Sequence, residues 1–204
     1  MKIEKVIVEP LSTNCYIIYE NGVGAVIDPG GNEEEIIKVI NKLGIEVKYI
    51  INTHGHPDHI GANKALKNAF PNAEIAIHKE DSEMLTDPEK NLSTMMGGEI
   101  TSPPADIKLE DAEILEVGGI KIEVLHSPGH TPGGVMLLAE DVVFSGDTLF
   151  KLSVGRTDLP GGDTATLRKT LKDFSKLMTE DLTIYPGHGP ETSFFFEKEN
   201  NQYL

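Results

Sequence analysis

The stretch Ile51-Asn52-Thr53-His54-Gly55-His56-Pro57-Asp58-His59 places three of the chain's seven histidines and an aspartate within six residues. It continues Val47 to Ile51, an apolar run that reads as a strand. Side chains two apart on an extended segment share a face, so His54 and His56 can point the same way. Asp58 and His59 must then point elsewhere, which suits a second cation a few ångströms away. Packing does not explain such crowding, because histidines gather chiefly where metal or proton chemistry needs them. The stretch reads as half of a two-metal site.

Working outward, Lys2 to Val8, Cys15 to Tyr19 and Ala25 to Ile27 alternate or run apolar like strands, the last ending in the turn signal Asp28-Pro29-Gly30-Gly31. Asn32 is placed to cap a helix with Glu33, Glu34 and Glu35 in its first turn and Gly44 as its stop. Ile60 to Phe70 reads as one helix, Ala73 to Ile77 as a strand, and Glu80 to Leu85 as a short helix. From Thr86 to Asp106 the prolines, glycines and Met95-Met96 break every periodicity. A segment of that length inside a compact domain is usually functional, and a lid is the expectation.

Alternation resumes in two hairpins, Glu113 to Leu125 and Val135 to Ser145. The first runs into His126-Ser127-Pro128-Gly129-His130, the second into Gly146-Asp147-Thr148. Asp163 or Thr164 caps a helix through Met178, and the strand Leu182 to Tyr185 ends at Pro186-Gly187-His188. Metal-type residues thus recur just past strand ends. Strands fall into two sets, each with helices, so two sheets packed face to face with helices outside is the expected architecture, in one domain over 1–204.

Composition excludes several function classes. Eighteen basic against 33 acidic residues give a net charge of -15, which argues against a nucleic-acid partner. No run approaches the roughly 20 apolar residues of a membrane helix, and the N-terminus lacks the pattern of a signal peptide, so a cytoplasmic location is expected. The lone Cys15 allows no internal disulfide and reads as buried filler. Phe194-Phe195-Phe196 is expected to pack inside the domain in preference to forming a subunit contact; a monomer or small homo-oligomer is expected.

The candidate metal ligands are His54, His56, Asp58, His59, His130, Asp147 and His188. One zinc needs three or four ligands, so seven fill two sites if one carboxylate bridges, and Asp147 is placed to do so at the end of a buried-looking strand. Donors without thiolate admit zinc first, with iron or manganese as alternatives. Two divalent ions outweigh two aspartates and a bridging hydroxide by one positive charge, which favours hydrolysis through an anionic intermediate. His54, His56 and Asp58 are the candidate catalytic residues. His78 and His126 are assigned structural roles, and Asp28 either orients a histidine or caps a turn.

With that set assembled, the chain resembles the metallo-β-lactamase superfamily. Thr53 to His59 matches the T-H-x-H-x-D-H signature, and Ser127 to Gly133, Ser145 to Phe150 and Tyr185 to Pro190 match its later motifs. The resemblance implies an αββα sandwich, with His54, His56 and His130 on one metal, Asp58, His59 and His188 on the other, and Asp147 bridging. Gly155 to Asp163 is similar to the short glyoxalase II-like hydrolases of prokaryotes, and glyoxalase II cleaves the hydroxyacyl thioester S-lactoylglutathione. Only residues 189–204 follow His188, so the helical region that grips glutathione in the full-length enzyme is expected to be lacking. The expected substrate is a small acyl thioester, met by Lys151 and Arg156 if anionic. The alternative implied by the same fold is a persulfide dioxygenase with one iron on His54, His130 and Asp147. A non-catalytic metal scaffold is the third reading.

Overall fold

The computed structural model describes residues 1–204. The first half of the chain runs β1 (Lys2–Val8), β2 (Thr13–Glu20), β3 (Val23–Ile27), α1 (Glu33–Leu43), β4 (Glu46–Ile51), α2 (Pro57–Ile60), α3 (Asn63–Ala69), β5 (Glu74–His78) and β6 (Ile107–Leu109). These strands form one six-stranded sheet in sequential order. β1, β2 and β3 pair antiparallel, then β3 to β6 run parallel. The second half runs β7 (Ile114–Val117), β8 (Ile120–His126), β9 (Val135–Ala139), β10 (Val142–Gly146), β11 (Leu149–Phe150), β12 (Ser153–Val154), α4 (Thr164–Leu177), β13 (Thr183–Pro186), β14 (Thr192–Ser193) and α5 (Phe194–Asn200). Its sheet has the order β14-β13-β10-β9-β8-β7, with β10 and β13 parallel.

The strand period of two sorts the core into layers. Along β2, Tyr16 and Ile18 join the cluster between the sheets, while Cys15 and Ile17 join the cluster under the first-half helices. Both faces of this strand are therefore apolar, as befits a sheet covered on each side. Ile36 and Ile40 of α1 close the outer layer of the first sheet. Leu167, Leu171 and Phe174 of α4, with Phe194, do the same for the second. The result is an αββα sandwich of two mixed sheets. No helix is long and apolar enough to cross a membrane.

Several local expectations change. Residues 60–70 are not one helix: α2 stops at Ile60 and α3 starts at Asn63, because the Ala62 N–H donates to Pro29 O at 2.8 Å. Asp58 and His59 therefore sit on a one-turn helix and not on a loop. Asn32 does not cap α1 with its side chain; it adopts a left-handed φ of 49°, and its Oδ1 accepts the Glu9 N–H at 2.9 Å. Asp163 does cap α4, accepting from Thr166 N at 2.6 Å. Of the three phenylalanines, Phe194 is wholly buried against Phe174, while Phe195 and Phe196 are exposed. Cys15 is buried, and burial pushes its thiol up.

The segment 86–106 is not a free lid. Buried Asn91 donates to Met84 O and Ile100 O at 2.9 and 2.8 Å, and Ser102 N–H donates to Leu85 O at 2.7 Å. Asn63 of α3 reaches the Ser102 hydroxyl at 3.1 Å, so the segment is strapped to the helical layer. The longest exposed run within it is the tip from Thr94 to Glu99. Hydrogen exchange is expected to be fast at 95–98 and slow at the Ser102 amide. Asn91→Ala, which strands two carbonyls, should cost about 2 kcal/mol in a denaturant titration.

Candidate metal centre

The strand directions bring the chemistry to one edge of the sandwich. The first strands of the parallel set end just before Asp28 and Asn52, and β10 and β13 end just before Asp147 and His188. The Gly187 N–H donates to Gly146 O at 2.8 Å, which holds Asp147 and His188 side by side. Across the seam, Val135 N–H donates to Thr53 O at 2.8 Å and Asn14 N–H to Gly187 O at 2.7 Å. A Cβ at Gly187 would sit 2.3 Å from Asp147 Oδ1 and 2.8 Å from the His59 ring, so that position admits only glycine.

All seven sequence candidates converge there. His54, His56 and His130 form one group and Asp58, His59 and His188 another; within each, one donor atom per residue lies within 4.8 Å of the others. Asp147 stands between them. Its Oδ2 is 3.6 Å from both His130 Nε2 and His188 Nε2, and its Oδ1 is 3.5 Å from His59 Nε2. His56 Nδ1 and His130 Nε2 are 2.9 Å apart. Asp58 Oδ2 lies 3.2 Å from His188 Nε2 and 3.4 Å from His59 Nε2.

His54 Nε2, His56 Nε2, His59 Nε2 and Asp147 Oδ1 are buried and have no hydrogen-bond partner. Leaving one such group dry costs about 1–3 kcal/mol, and four in one place call for an occupant that satisfies them. Cations fit, because each of these atoms can offer an electron pair, His59 Nε2 once its ring has given up a proton.

The electrostatics divide along the same line. Burial, reinforced by the neighbouring imidazoles, drives His54 well below the ordinary histidine range and His56 down to about 3. These rings are neutral, the form that binds metal. At His59 burial opposes the proton, but Asp58, Asp28 and Asp147 together raise it to about 10. Burial would raise Asp58 too, yet His59, His188 and the Thr13 hydroxyl hold it well below the usual carboxylate range. Acidic residues concentrated around His59 hold a positive charge at this spot.

A model of the metallo-beta-lactamase superfamily matches residues 8–188. The chain belongs to that superfamily. The hydroxyacylglutathione hydrolase GloC of Haemophilus influenzae is 36% identical over 213 residues, covering 100% of this chain and 98% of that one. Among solved structures, the B3 metallo-beta-lactamase BLEG-1 superposes with a TM-score of 0.94 at 34% identity, covering 100% of this chain and 99% of that one. TTHA1623 in a di-iron-bound form gives 0.86 at 34%, covering 98% and 100%.

Around the superfamily motifs the structure places residues that sequence reading missed. Thr13 Oγ1 donates to Asp58 Oδ2 at 2.9 Å, and Tyr16 OH donates to Pro186 O at 2.8 Å, steadying the turn before His188. A polar pair, Thr13-Asn14, opening an otherwise apolar strand was the available signal. Asp28 orients a histidine: its Oδ2 lies 3.0 Å from His59 Nδ1 and it accepts from both Thr53 N and Thr53 Oγ1 at 2.7 Å. The His130 Nδ1–H donates to Arg156 O at 2.7 Å, which leaves Nε2 free to ligate.

Four residues singled out from the sequence stand aside. His78 and His126 stack on each other at 4.1 Å, away from the centre. The Arg156 guanidinium is held by Asp158 at 2.7 and 2.8 Å, and the Lys151 ammonium lies over the Phe196 ring. Neither cation is hydrogen-bonded to any of the seven. Elemental analysis after dialysis should find two metal ions per chain, about one in His54→Ala, and still two in His78→Gln. Asp147→Asn should weaken both ions and cut turnover at least about 100-fold.

Proposed function

We propose that this protein is a binuclear metal-dependent hydrolase of small acyl thioesters. The observation that carries the reading is the pair of donor groups that meet at Asp147, among which buried ring nitrogens have no hydrogen-bond partner. His54, His56 and His130 would hold one ion and Asp58, His59 and His188 the other. When bound, two divalent ions supply a hydroxide nucleophile near neutral pH and stabilise an oxyanion. Zinc is the first expectation for this donor set, with iron or manganese as alternatives.

The chain's own residues do the rest. The Arg156 carbonyl fixes the tautomer of His130, and Asp28 fixes the ring of His59, so the donors are set before any ligand arrives. Asp58, locked in its ionised form by His59, His188 and Thr13, has no proton to deliver to a leaving group and is a weak base, which suits it to holding a cation. A leaving group that departs as an anion suits such a site. A thiolate does so readily, since its conjugate acid has a pKa of about 8.5, whereas an amide nitrogen needs a proton delivered. The likeness to GloC supports the same substrate class, and that to BLEG-1 makes a β-lactam the comparison substrate. For an anionic acyl group or carrier, Lys151 and Arg156 are the candidate contacts, with Arg156 first released from Asp158.

The test is a side-by-side assay of zinc-loaded and iron-loaded protein with S-lactoylglutathione, a lactoyl thioester of a smaller thiol, a β-lactam and glutathione persulfide. Thiol release from the thioesters without oxygen uptake is the expected result, with kcat/KM at least about 100-fold above that for the β-lactam. Preferred turnover of the β-lactam, or oxygen uptake with the persulfide alongside negligible thioester cleavage, would overturn the assignment.

A further inference from the structure

Asp81 lies outside every superfamily motif quoted above, in the turn after β5, yet it is one of the most enclosed carboxylates in the molecule, with no exposed surface. An ionised carboxylate so placed must have its charge met by donors. Here three converge on it. Its Oδ2 accepts the Gly55 N–H at 3.1 Å and the Thr131 hydroxyl at 2.7 Å, and its Oδ1 accepts the Gly133 N–H at 2.6 Å. Its own N–H donates to His78 O at 3.0 Å, which anchors it to the end of β5.

The identity of those donors matters more than their number. Gly55 is the residue between His54 and His56, and Thr131 is the residue after His130. One carboxylate therefore ties the loop that carries two imidazoles, on the first sheet, to the loop that carries the third, on the second sheet. Those imidazoles meet with His56 Nδ1 and His130 Nε2 2.9 Å apart. The approach is close enough that a Cβ on Gly133 would lie 2.5 Å from Asp81 N and 2.7 Å from its Oδ1. The Asp58, His59 and His188 group has no bond to Asp81; Thr13, Asp28 and the Asn14–Gly187 bridge hold it instead.

We propose that Asp81 is a positioning residue that sets the separation of the His54/His56 pair from His130, and so controls the metal affinity of that half of the centre alone. This rests on the reading of the two donor groups as metal sites. A carboxylate is the one side chain that serves here. Its two oxygens both accept, so two backbone N–H groups on opposite sides are satisfied together. An asparagine must turn its NH₂ toward either Gly55 N–H or Gly133 N–H, a donor facing a donor. A glutamate carries an extra methylene that the enclosed site has no room for.

Thr131 offers an independent handle. Thr131→Val keeps the shape and deletes one strap, whereas Thr131→Ser keeps the hydroxyl. In the metal-free protein, the Gly55 amide should exchange at least about tenfold faster in Asp81→Asn than in the wild type, because its acceptor is lost or reversed. In zinc titrations of the whole chain, wild type should bind two ions. Asp81→Asn and Thr131→Val should each weaken one of them about 10- to 100-fold, the usual effect of losing a group that orients ligands, with the other unchanged. Thr131→Ser should restore wild-type affinity. The ion that Asp81→Asn retains should be the one that Asp58→Ala removes.

Two unchanged affinities in both Asp81→Asn and Thr131→Val would overturn the inference. So would an equal weakening of both ions in step with a lowered Tm, which marks a general structural strap. A wild-type protein that binds no zinc, iron or manganese would instead overturn the underlying reading of the metal site.

Discussion

Asp28 is the constraint on which the centre depends. Its carboxylate takes two bonds from Thr53 and faces His59 at 3.0 Å, so it joins the end of β3, the end of β4 and the one-turn helix α2 in a buried knot. A bare carboxylate in that place would be costly, but the Thr53 amide and hydroxyl donate to it and the His59 ring lies 3.0 Å away. The knot fixes the direction in which the chain leaves β4. Everything from His54 to His59 then has a set orientation, with neutral rings on one side and the carboxylate-rich pocket of His59 on the other.

The two halves of the centre differ in electrical character, although they share Asp147. His54 and His56 are kept uncharged by burial among other imidazoles, while His59 sits among three carboxylates. The three carboxylates around His59 favour a proton on that side, with which an ion there would compete. On the first side, binding meets no such competition. The two sites thus differ both in their donors, three imidazoles against two imidazoles and a carboxylate, and in the charges around them.

Much of this was legible in the sequence, for a physical reason. Metal ligation needs particular atoms at short spacing, and Thr53 to His59 supplies four donors in one run. Strand ends followed by Gly and Pro marked where His130, Asp147 and His188 would lie, and the apolar run from Cys15 to Tyr19 marked β2 as a strand. What stayed hidden depends on contacts between distant residues. The split between α2 and α3 follows from the bond of Ala62 to Pro29, and the unexpected turn at Asn32 from its bond to Glu9. The tethering of residues 86–106 rests on Asn91, an unremarkable polar residue whose burial no local pattern announces. Asp81 is of the same kind, since its partners lie 26 to 52 positions away in the chain.

The closure of the centre by β2 has a consequence for the order of events during synthesis. Asn14 leaves the ribosome early, but its side-chain partners, Pro186 and Gly189, follow 172 and 175 positions later. The first sheet can assemble with four donors in place and still lack His130, Asp147 and His188. A nascent chain thus offers cations an open, incomplete set of ligands, and tight capture waits until residue 188 is free to dock. The long-range contact that joins Asn14 to residues 186–189 is therefore also the one that brings His188 to the other ligands, so the full set forms only once that slow contact is made.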